Sequence, residues 1–191
     1  MADWPWEALS TIGTLAAVGV ALWFSVQSVR ASGKAEEDRA QLAAAKMLSP
    51  LSSLERKASF LYTWFAFSEV STFNLYDNVK KALEELEALS RSVSNDDLYP
   101  LLKLPNHAAK RSSRALGLIQ TFVADASATL NHHSWNDLDI DQKNIHHKRW
   151  LAMVSEIKDH LTLAVTVCDK AAATGAPRPS AEEIYGQFPE P

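Results

Sequence analysis

Between residues 34 and 174 the chain contains a single glycine, Gly117, and proline is absent from 51–99 and again from 106–174. Strand-and-turn folds need Gly, Pro, Asn and Asp punctuation roughly every ten residues. Long stretches free of such breakers and rich in Ala, Leu, Glu and Lys sustain helices instead. The fold class that follows is all-α.

A chain of 191 residues has room for one domain and its appendages. Charged residues make up 22% and hydrophobic ones 47%, an ordinary globular balance. The net charge of −4 argues against nucleic acid as a partner, since a dedicated binder carries a basic balance. One cysteine, Cys168, excludes an internal disulfide and any zinc site built on paired cysteines.

Residues 8–26 contain no charged side chain. As a helix they would rise ~28 Å, close to the ~30 Å hydrocarbon core of a bilayer. Trp4 and Trp6 precede the run and Trp23 lies near its end, matching the preference of indoles for the membrane interface. Asp3 and Glu7 come before it, whereas Arg30, Lys34, Arg39 and Lys46 follow. The positive-inside bias then places the N-terminus outside and the remainder in the cytoplasm, in an inner (cytoplasmic) membrane. A cleavable signal would carry a basic leading region, and this one is acidic. A buried helix of a soluble core is the competing reading, because Ser10, Thr11, Thr14 and Ser25 temper the hydrophobicity. Gly13, Ala17, Ala21 and Ser25 recur every four residues, a spacing that lets two helices approach closely in lipid.

The expected organisation is an external N-terminus over 1–7, a transmembrane helix over 8–29, a juxtamembrane helix over 30–49, a cytoplasmic helical bundle over 50–174 and a Pro-containing tail over 175–191. Ser32-Gly33 reads as a short hinge. Beyond it Ala40, Ala44, Met47, Leu51, Leu54, Ala58, Leu61 and Phe65 alternate steps of four and three, a coiled-coil-like seam. Pro50 lies inside that seam and predicts a kink or a helix restart with Ser49 as cap. Further seams run through Leu75, Val79, Ala82, Leu86, Leu89 and Val93; through Ala108, Ala115, Ile119, Phe122, Ala126 and Leu130; and through Trp150, Val154, Ile157, Leu161, Ala164, Cys168 and Ala171. Short connections between such helices predict an antiparallel four-helix bundle. The tail carries a capping-box pair, Ser180 and Glu183, with Ile184, Tyr185 and Phe188 available to dock.

Chemistry-bearing residues are sparse. His132, His133, His146 and His147, with Asp137, Asp139 and Asp141 between them, are competent metal ligands by type. Adjacent histidines on a helix point about 100° apart, however, and the Glu-x-x-His steps of helical metal sites do not occur. No metal ligand, cofactor site or catalytic residue is assigned, and no G-x-S-x-G, H-E-x-x-H or phosphate-cradling glycine loop is present. Lys103, His107, Lys110, Arg111 and Arg114 form a basic stripe that could meet lipid head groups. The aromatic patch Tyr62, Trp64, Phe65 and Phe67 supplies the kind of anchors that dominate protein interfaces.

The segment Trp6-Glu7-Ala8-Leu9-Ser10-Thr11-Ile12-Gly13-Thr14, followed by an apolar run and a charged helix, resembles small single-pass membrane proteins of bacteria and prophages. The resemblance covers residues 1–45 and implies a bacterial or phage inner-membrane setting, where some such proteins act in phage exclusion or defence. The function expected is a membrane-anchored interaction or assembly protein without catalytic activity. Its partners would be membrane lipid and either a second copy or another membrane or cytoplasmic protein. Two other classes compete: an oligomeric pore lined by Ser10, Thr11 and Thr14, and a metal-dependent enzyme built on the histidine cluster.

Overall fold

The computed structural model describes residues 6–68, 75–132, 135 and 137–186, apart from the side chains of 6–15, 75–77 and 185. Every regular element among them is helical: α1 (Trp6–Phe67), α2 (Leu75–Arg91), α3 (Asn95–Leu98), two 3-10 turns (Tyr99–Lys103 and Pro105–His107), α4 (Ala108–Asn131), α5 (Ile140–Gly175) and α6 (Ala181–Tyr185). The chain divides into two compact units, Met1–Asp38 and Arg39–Pro191.

In the first unit, α1 passes without interruption through Ser32-Gly33. Apolar side chains from residue 16 onward are open to their surroundings: Leu22, Trp23, Phe24 and Val29 are each more than 60% exposed. Among the described residues no helix is long and apolar enough to cross a membrane. The expected span over 8–29 therefore finds no support in the helix as described. Residues 16–26, the part of the run whose side chains are described, are fewer than the ~20 that a span needs. The side chains of the other half of the run, residues 8–15, lie outside those described.

The second unit is a helical bundle around one core. All eight seam residues of α1, from Ala40 to Phe65, are at most 3% exposed. Pro50 lies inside α1 without ending it. A proline there removes one backbone bond at a cost of about 3 kcal/mol. Burial of Met47, Leu51 and Leu54 on either side outweighs that, since each large apolar side chain contributes about 1.5–3 kcal/mol. In α2, Val79, Ala82 and Leu86 are buried as the spacing predicts, with Leu83 beside them, and Lys57 of α1 pairs with Glu85. The seams of α4 and α5 are buried throughout, except that Ala171 is half-buried.

Contacts between α4 and α5 run in opposite directions along the two sequences. Arg114 meets Glu156 at 3.1 Å and Asp125 meets Arg149 at 3.0 Å, so the two helices are antiparallel. The same holds for α1 and α5. Thr162 Oγ1 donates to Glu55 at 3.2 Å, whereas His147 reaches Phe65 further along α1.

Helix starts are set by local chemistry. Ser94 and Asp97, Asp139 and Gln142, and Ser180 and Glu183 each form a capping box, satisfying backbone N–H groups that the first turn leaves orphaned. The entry to α4 is different. Asn106 (φ 55°) and His107 (φ 57°) are successive left-handed residues, and no side chain caps the helix. This tight reversal brings the turn after α3 back against the start of α4.

Candidate functional site

The reversal at Asn106-His107 lays α3 and the Tyr99–Lys103 turn alongside the first half of α4, leaving an open cleft of about 710 Å³. One wall is Asn95, Leu98, Tyr99 and Leu102. The other is a single face of α4, where Ala109, Lys110, Ser113, Arg114, Gly117, Leu118 and Thr121 fall at helical steps of three and four. Leu98 and Ala109 form a buried apolar base, while Tyr99 and Leu102 are 75% and 51% exposed. Two lining residues are cations and none is an anion.

The five residues of the predicted basic stripe are therefore not one surface. Lys110 and Arg114 line the cleft. Lys110 is exposed and has no ion-pair partner among the described residues. Arg114 donates from Nε and Nη2 to Glu156 Oε1, at 3.3 and 3.1 Å. Arg111 is turned away: its Nε donates to the Asn106 carbonyl at 2.9 Å and its Nη1 lies 3.5 Å from His160 Nδ1. That bond fastens the left-handed turn to α4. Lys103 and His107 are exposed beside the cleft without lining it.

A second cluster closes the opposite end of the bundle. The Phe65 ring lies 6.2 Å from Phe122 and 6.0 Å from Trp150, and Trp135 lies 5.7 Å from Trp150. The Trp150 indole N–H donates to Asp125 Oδ2 at 2.9 Å. His147 Nε2 lies 2.6 Å from the Phe65 carbonyl, which can only accept, so Nε2 carries the proton and donates. It thereby satisfies one of the carbonyls orphaned in the last turn of α1. His146 packs edge-on to Trp135 at 6.0 Å, with its Nδ1 buried and unpartnered.

His146 and His147 therefore serve packing and helix termination. His132 and His147 sit in different settings, His133 lies outside the described residues, and Asp139 is committed to the α5 cap. Among the described residues no three His, Cys, Asp or Glu side chains converge in a way that could hold a metal ion. Cys168 is buried on the α5 seam, and burial pushes its thiol up to about 11, so it holds its proton at neutral pH.

The aromatic patch predicted on α1 divides as well. Phe65 is core, only 3% exposed, and Trp64 packs edge-on against it at 5.0 Å. Tyr62 is half-buried beneath the Lys158 ammonium, 4.6 Å from its ring centre. Phe67 alone stands fully clear, 84% exposed. On the first unit Ala17, Ala21 and Ser25 are exposed, and Gly13 lies among the residues whose surroundings are not described.

Tyr99 and Leu102 were not singled out by the sequence, although they form half of one wall of the cleft. The flanking Pro100 and Pro105 mark a connection, but a connection does not reveal which helix face it folds back upon. Ile184 of α6 is 57% exposed, and Phe188 lies outside the described residues. Comparisons with protein-family models, with curated proteins and with solved structures found no match.

Proposed function

We propose that the chain is a single-pass, membrane-anchored helical module that assembles with itself or recruits a protein partner, and that it performs no catalysis. Residues 8–26 enter the bilayer with Asp3 and Glu7 outside, and an antiparallel four-helix bundle with coiled-coil-like seams lies on the cytoplasmic side. The observation that carries the reading is the exposure of Val18, Val20, Leu22, Trp23, Phe24 and Val26 along a run without charge. A soluble protein rarely leaves so continuous an apolar surface in water. A helix apolar all round belongs in lipid or against other helices. In the bilayer, Gly13, Ala17, Ala21 and Ser25 form the face on which two copies pair. On the bundle, exposed Phe67 with part-buried Trp64 and Tyr62 offers the apolar anchor for a partner. A bacterial or phage inner membrane is the setting in which we place it.

Alkaline carbonate extraction of membranes tests the anchor: the full chain stays in the pellet if the reading is right, and its release into the supernatant overturns it. Gly13→Leu with Ala17→Leu, read in a membrane two-hybrid assay, tests pairing. Loss of signal is expected, and an unchanged signal removes the span as an assembly surface.

A further inference from the structure

The cleft between α3, the Tyr99–Lys103 turn and α4 has a composition that neither the anchor nor the bundle core explains. In a chain of net charge −4, its lining holds Lys110 and Arg114 and no carboxylate. Lys110 has no acidic partner among the described residues, and Arg114 spends only Nε and Nη2 on Glu156. Two cations a helical turn apart can bind one anionic head with charge-assisted hydrogen bonds. Opposite them, Tyr99 and Leu102 leave apolar surface uncovered above the buried base.

Gly117 is the second observation. It is the only glycine between residues 34 and 174, and it sits within α4 where a Cβ would meet nothing within 4 Å. No close contact or unusual backbone angle requires glycine there, and glycine in a helix interior weakens the helix. What it does is deepen the cleft beside Leu118.

We infer that this cleft binds a single-chain anionic amphiphile. Its carboxylate or phosphate head sits between Lys110 and Arg114, and its apolar chain runs over Gly117 and Leu118 against Tyr99 and Leu102. The cleft volume, about 710 Å³, is that of a small-molecule site. The cleft's eleven lining residues are fewer than the roughly 20–30 a side of a stable protein interface. The acidic α6 of this chain would suit the charge, but Ile184 stands 57% exposed and α6 is not among the lining elements. Because the cleft lies wholly within residues 95–121, binding does not depend on whether residues 8–26 enter a bilayer.

Native mass spectrometry of the full chain released from maltoside micelles tests this with palmitate, lysophosphatidate and lysophosphatidylcholine added separately. One palmitate or one lysophosphatidate per chain is expected, and which of the two binds tells whether the head is a free carboxylate or a phosphate monoester. The zwitterionic lysophosphatidylcholine should bind about tenfold more weakly, the scale of one lost charge-assisted bond. Lys110→Glu should cut anion binding by about tenfold or more at unchanged Tm. Gly117→Leu should abolish it while raising Tm, because leucine is the better helix former and a Cβ there meets nothing within 4 Å. Equal binding of the zwitterion, absence of both anion adducts, or undiminished binding by folded Gly117→Leu overturns the proposal.

Discussion

Asp125 separates two interactions that are usually removed together. One carboxylate oxygen accepts the Trp150 indole N–H at 2.9 Å, and the other pairs with Arg149 at 3.0 Å. Trp150 is fully buried, whereas the Arg149 side chain is 56% exposed. A half-exposed ion pair is worth at most about 1 kcal/mol. Stranding a buried N–H costs about 1–3 kcal/mol. Asp125→Ala removes both and should lower the unfolding free energy by about 2–3 kcal/mol. Asp125→Asn retains an oxygen for the indole and forfeits only the charge, so its loss should stay below about 1 kcal/mol and match that of Arg149→Ala. Urea unfolding of the full chain, followed by circular dichroism and by tryptophan emission at constant m-value, measures each difference. If Asn proves as damaging as Ala, the ion pair rather than the buried N–H holds α4 to α5, and the reasoning fails.

Other perturbations give equally definite outcomes. Leu54→Ala, at a fully buried position, should cost about 2–5 kcal/mol, and Ile157→Val about 0.5–1.5 kcal/mol, both read from urea midpoints. Asp97 is held down to about 2 by hydrogen bonds from Lys46 and Ser94. A depressed carboxylate stabilises the fold fully above its unfolded value near pH 4 and loses that contribution as pH falls toward about 2. Lys46→Ala should therefore be less stable than the parent above about pH 4, and the two should converge in acid; a difference that persists to the lowest pH would contradict the assignment. Native Cys168 should resist maleimide and react only as fast as the bundle opens, because its thiol is buried and shifted up to about 11. Labelling at the rate of a free thiol would show that the α5 seam is not closed.

The sequence made the helices legible because their seams repeat for many turns. Ala40 to Phe65, Ala108 to Leu130 and Trp150 to Cys168 can be read from spacing alone, and burial follows it residue by residue. Local rules misled where packing competes with them. Pro50 predicts a kink or a restart; α1 does not restart there, and Met47, Leu51 and Leu54 are buried on both sides of it. Trp135, in a polar connection, carries no periodic signal and is buried because Trp150 lies within reach of it. The basic stripe was visible as a spacing, but its division into cleft cations and a turn-fastening Arg111 depends on Glu156 and on the Asn106 carbonyl. Those partners are distant in sequence or exist only once Asn106 has turned left-handed.

The two ends of α5 give Pro50 a mechanical setting. Near one end of the bundle, Gly175 approaches Gln41 so closely that a Cβ would come within 2.7 Å of its amide oxygen. Near the other, His147 grips the Phe65 carbonyl. The stretch of α1 between these two grips, about 36 Å long, contains the proline that would otherwise act as its hinge. Contacts with α5 on both sides of Pro50 oppose bending there. Bending at Pro50 would have to disturb the Gly175–Gln41 approach or the His147–Phe65 hydrogen bond.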